Sequence, residues 1–121
     1  MTCAIVDVSS VWIGDAGPEI DICYPGGVLA DGSWIEVVGT PRIRLDDRVV
    51  ATVIPTSYGY RLQNWRLGLT FVTASGLYDG QRQPISWVDS VRVTYASRVG
   101  DTYDVEALRE VFVAIAAGVE L

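Results

Sequence analysis

The chain has 121 residues, half of them hydrophobic and a fifth charged, with 15 acids against nine bases and a net charge of −6. That length and composition describe one globular domain over residues 1–121 and exclude a disordered chain. With no histidine anywhere, the usual general base and the commonest metal ligand are missing.

The opening MTCAIVDVSS lacks the basic start of a signal peptide. The longest apolar run, VFVAIAAGV at 111–119, is too short to span a bilayer. The expectation is a soluble protein made in a cytoplasm, with no membrane partner.

Residues 3–8, CAIVDV, read as a first strand, and the turn-rich GDAGP at 14–18 leads into EIDICY at 19–24, giving an N-terminal hairpin. SWIEVV at 33–38 is a third strand. RVVATVI at 48–54 is a fourth, stopped by Pro55 and the loop TSYGYRLQ. NWRLGLTF at 64–71 is a fifth: Trp65, Leu67, Leu69 and Phe71 alternate with Asn64, Arg66, Gly68 and Thr70, the period of a strand with one apolar face. A long polar loop, TASGLYDGQRQP at 73–84, precedes a sixth strand, WVDSVRVTYA at 87–96. Connections this short imply an antiparallel sheet.

The ending changes period. Val105, Leu108, Phe112 and Ile115 recur at helical spacing, and Val111 widens the stripe. Asp101 can cap this helix, Asp104 and Glu106 suit its positive end, and Gly118 is a C-terminal stop. The fold class is therefore α+β: an antiparallel sheet, an N-terminal hairpin and a C-terminal helix covering one face.

The last three strands raise a question about the other face. With Val49, Ala51 and Val53, then Trp65, Leu67, Leu69 and Phe71, then Val91, Val93 and Tyr95 turned to the core, alternation groups the rest together. That second set is Arg48, Val50, Thr52 and Ile54; Asn64, Arg66, Gly68 and Thr70; Ser90, Arg92 and Thr94. It holds arginines, hydroxyls and the chain's one asparagine, and no acid. Arginines meet phosphates, while hydroxyls and an amide meet base edges, which is what single-stranded or hairpin RNA requires. All nine basic residues are arginine, a choice that suits phosphate and that codon bias also produces.

Enzymatic chemistry finds no support. Asp46–Asp47, beside Arg44 and Arg48, reads as an ion-paired turn, and there is no phosphate loop, nucleophile elbow or metal constellation. Cys3 and Cys23 form neither a zinc motif nor a disulfide framework and read as small buried hydrophobes in strands. No cofactor, metal or small-molecule substrate is expected.

The order of parts resembles the coat proteins of the small single-stranded RNA bacteriophages, the leviviruses. The resemblance is carried by the N-terminal hairpin, RVVATVIPTS, NWRLGLTF, a long loop, WVDSVRVTY and the acid-capped DTYDVEALREVFVAIAAG, and spans about residues 20–118. It implies a coat subunit whose helix packs over a partner's sheet in an interlocked homodimer, with dimers building an icosahedral shell in the host cytoplasm. It also implies an inner sheet face that binds a hairpin of the genomic RNA, with Arg48, Thr52, Asn64, Arg66, Thr70, Ser90 and Arg92 as contacts. In such coats an aromatic near the start of the last strand stacks on a base; here alternation puts Val88 on that face, and Trp87 would need a bulge to serve. The family is usually basic and this chain is acidic. The alternative is another phage assembly or decoration protein, or a small acidic binding protein, without RNA binding.

Overall fold

The computed structural model describes residues 2–24, 27–28, 30–35, 43–63, 68–88, 93–96 and 103–118. The N-terminal hairpin forms as expected: β1 (Thr2–Asp7) pairs antiparallel with β2 (Glu19–Tyr24), and the Val8 amide closes onto the Pro18 carbonyl at 2.9 Å. The cysteines depart from expectation. Cys3 and Cys23 sit directly opposite one another in this ladder and are joined by a disulfide. A pairing register, rather than a spacing motif, brings them together. Only Cys23 is a buried strand residue; Cys3 is exposed.

A short ribbon follows, β3 (Gly27–Val28) against β4 (Trp34–Ile35). The expected fourth strand is broken at Thr52 into β5 (Val49–Ala51) and β6 (Val53–Thr56). Pro55 does not stop it. Pro55 lies within β6, at the edge of a four-stranded sheet where a missing amide is tolerated. The expected loop after it is instead a tight hairpin to β7 (Gly59–Leu62). Gly59 has φ +140, and a β-carbon there would approach the Asp21 carbonyl oxygen to 3.0 Å, so only glycine suits that corner.

That sheet runs β1-β2-β7-β6, and β2 with β7 is a parallel pair. Short connections excluded parallel neighbours only for consecutive strands, and β2 and β7 are separated by four others. A second sheet places β8 (Leu69–Thr73) between β5 and β9 (Gly76–Tyr78). The long loop at 73–84 is therefore largely structured. It begins as a hairpin whose Leu77 is buried, and continues into a turn held by Asp79.

The segment expected as one strand at 87–96 is two. β10 (Ile85–Val88) pairs antiparallel with β11 (Val93–Tyr95), with a bulge between Ile85 and Trp87. The chain then reaches α1 (Val105–Ala116). Its cap is Asp104, whose carboxylate accepts from the Ala107 amide at 2.9 Å; Asp101 lies outside the described residues. Gly118, at φ +79, donates to the Ile115 carbonyl at 3.0 Å, the expected C-terminal stop. The architecture is mixed α+β, mostly antiparallel, with one C-terminal helix.

Leu108 and Val111 of the helix close the core with Leu77, Ile85 and Val88, and Val50, Val72, Val93 and Phe112 pack around them. Trp12 reaches back from the hairpin loop to Phe112, with ring centroids 5.9 Å apart. Burying side chains of this size contributes about 1.5–3 kcal/mol each.

Candidate nucleic-acid interface

Among the described residues, the face expected to meet RNA is divided between the helix side and the outside. Val50, Thr70 and Val72 alternate onto the side of β5 and β8 that the helix covers: Val50 and Val72 pack against the Leu108–Val111 core. Thr70 is only 6% exposed and lines a small cavity of about 30 Å³ with Asp79, Leu108 and Phe112. It cannot contact RNA in this arrangement. The reason is that both sides of β8 are apolar enough to bury: Leu69 and Phe71, on the opposite side, are 0% and 2% exposed. Alternation correctly set Val50 and Thr70 on one side and Val49, Ala51, Leu69 and Phe71 on the other. It could not tell which group the helix would select, nor carry the grouping across to the separate β10-β11 ribbon, where Val93 takes the helix side.

Of the other expected contacts, Arg48 is exposed at the start of β5, and its carbonyl accepts from the Val72 amide at 2.8 Å. Thr52 is half-buried at the break between β5 and β6, its amide bonded to Gly68 and its carbonyl to Gln63. Asn64, Arg66, Ser90 and Arg92 lie outside the described residues.

The aromatic side chain behaves differently. In the bulge, Ser86 and Trp87 together oppose Thr94, and the Ser86 hydroxyl donates to the Thr94 carbonyl at 3.0 Å. The extra residue lets Ile85 and Val88 both point inward, at 3% and 8% exposure, while Trp87 turns outward at 50%. Trp87 is thus the exposed aromatic, and Val88 is core, which reverses plain alternation. The signal was present in ISWV, where apolar residues three apart break a period of two.

Tyr103 completes this corner. Its ring meets Trp87 edge-on, centroids 5.6 Å apart, and its backbone bonds both Ile85 and Leu77. Burial, then the negative charges of Asp104 and Glu110, push its phenol above its ordinary value. It stays neutral at physiological pH, able to donate a hydrogen bond. Periodicity gave no reason to single out Tyr103, because the contacts that place it come from β9 and β10.

Charges elsewhere are partly committed. The Arg82 guanidinium lies 4.0 Å from the Phe71 ring centroid and 3.2 Å from an Asp47 carboxylate oxygen. The same oxygen accepts from the Arg44 amide at 2.7 Å. Asp46–Asp47 is accordingly a turn that anchors the 79–83 loop, and these contacts give it a structural role. Arg44, Arg48, Arg61 and Arg109 are exposed. Among the described residues no cluster of potential metal ligands occurs, and no helix is long and apolar enough to cross a membrane.

What the corner can do chemically is stack and donate: an exposed indole with a phenol beside it. Comparison with models of known protein families, with curated proteins and with solved structures finds no match to this chain.

Proposed function

We propose that the chain is the coat subunit of a single-stranded RNA bacteriophage, forming interlocked homodimers that assemble into an icosahedral shell in the host cytoplasm. One observation supports self-assembly above others. A single copy leaves large apolar side chains in water: Leu45 at 93% exposure, Ile5 at 71%, Val113 at 46% and Ile115 at 40%. Two of these lie on the helix that such coats pack over a partner, and a second copy would cover them as a domain core is covered. The order of hairpin, sheet and capped helix agrees with this reading.

Genomic RNA, presented as a hairpin, is the second partner we propose. Its supporting features are the outward Trp87, the exposed Arg48 and the further arginines Arg66 and Arg92 in the sequence. Thr70 drops out of the contact set. The alternative, an assembly or decoration protein without RNA binding, is favoured by the net charge of −6 and by the burial of Thr70 under the helix.

Replacing Arg48, Arg66 and Arg92 together by glutamine separates the two. The RNA reading expects particles that still form but carry sharply less nucleic acid, read from the absorbance ratio, since each neutralised phosphate contributes to binding. Unchanged nucleic-acid content per particle would favour the alternative.

A further inference from the structure

Strand β1 is an edge strand that contributes no fully buried side chain: Thr2, Ala4 and Val6 are half-buried and Cys3, Ile5 and Asp7 exposed. Its neighbour β2 is held from the other side by β7, and there Ile22 and Cys23 are 0% and 3% exposed. The disulfide therefore joins an exposed residue to a covered one. Cys23 Sγ lies beneath the β6-β7 turn, 4.0 Å from the Tyr58 carbonyl oxygen, within reach of an S–H donor once the bond is open. A β-carbon at Gly59 would sit 3.6 Å from the same sulfur.

We propose that Cys3 is the entry thiol of a redox latch: it takes a low-molecular-weight disulfide, forms a mixed disulfide, and passes the bond to Cys23, fastening β1 to β2. The exposed Cys3 thiolate attacks one sulfur of the small disulfide and expels one small thiolate. Cys23, giving its proton to water, then attacks Cys3 Sγ and expels the second. Two protein thiols are oxidised and one small disulfide is reduced to two thiols. The order follows from exposure, because a thiol needs access and thiolate character to begin exchange, and burial withholds both. Cys23 must still lose its proton for the second step, but it needs no access to a solvent disulfide, since the ladder holds it directly opposite Cys3. In a reducing cytoplasm β1 is held by its ladder alone; on oxidation the latch closes. The inference depends on the hairpin and is independent of the coat reading, so either can fail alone.

The test uses the full folded chain, reduced, freed of reductant and exposed to oxidised glutathione, with products followed by intact mass and peptide mapping. Cys23→Ser should accumulate one glutathione on Cys3 at least about tenfold faster than Cys3→Ser accumulates one on Cys23, and denaturant should erase the difference. In the wild-type chain an early acid quench should trap glutathione on Cys3, independently of whether either variant folds. Amide exchange at Ala4 and Val6 should slow by more than about tenfold on oxidation. Equal native rates, a first adduct on Cys23, or exchange unchanged by oxidation would overturn the proposal.

Discussion

Tyr95 donates its phenolic hydrogen bond to Oδ2 of Asp79 at 2.8 Å, tying β11 to the turn that follows β9. The other carboxylate oxygen accepts from the amides of Gln81 and Gln83 at 2.8 and 3.0 Å. Asp79 is 1% exposed, so this acid is a buried polar centre shared by β11 and the turn after β9.

Removing that carboxylate leaves buried donors without an acceptor. Asp79→Ala should destabilise the chain by about 3 kcal/mol or more, and Tyr95→Phe by about 1–2 kcal/mol. Urea denaturation checks both, and an alanine variant within about 0.5 kcal/mol of wild type would contradict the assignment.

Thr70 gives the opposite sign. Its hydroxyl has no hydrogen-bond partner among the described residues, although the residue is 6% exposed. A buried hydroxyl without a partner costs desolvation free energy, so Thr70→Val should hold or raise stability by up to about 1 kcal/mol. A clear loss in thermal or chemical denaturation would show that the hydroxyl is bonded.

On the helix, Val113 is the exposed apolar residue to charge. Val113→Arg suits the negative end of the dipole and removes nothing from the core, so the chain should stay folded by circular dichroism. Sedimentation should then show a species smaller than wild type. Assembly indistinguishable from wild type would mean that this helix face is not the contact.

Trp87→Ala should leave the chain folded at a cost of about 1–2 kcal/mol, since the buried half of the indole and its edge contact with Tyr103 are lost. A stacked base contributes about 1–3 kcal/mol, so RNA affinity measured by filter binding should fall roughly tenfold or more. Tyr103 offers a spectroscopic check of the same corner. Its raised folded value means that its stabilising, protonated form is fully present below the ordinary phenol value near 10 and lost as pH rises through the higher folded one. Its ultraviolet titration should shift downward on unfolding.

How far the sequence carried the fold depends on how local each determinant is. The hairpin of β1 and β2 and the helix were legible because alternation, capping and a terminal glycine act within a few residues. The helix cap moved from Asp101 to Asp104 within one turn, among acids that are equally good caps. The disulfide was not legible, because it arises from register across a loop. Nor was the order inside 73–84: Asp79 is stabilised by Tyr95, 16 residues away, and Arg82 by Phe71 and Asp47. The candidate interface failed for Thr70 because a strand apolar on both sides leaves its solvent face undetermined. It succeeded in posing the question of a bulge at Trp87, which the ladder then answered.

Negative-stain electron microscopy of the purified chain at near-physiological salt decides whether it self-assembles. Closed, uniform shells far larger than a dimer, formed by the chain without other proteins, are expected. A field showing only particles of monomer or dimer size, under conditions where the chain is folded by circular dichroism, would contradict shell assembly.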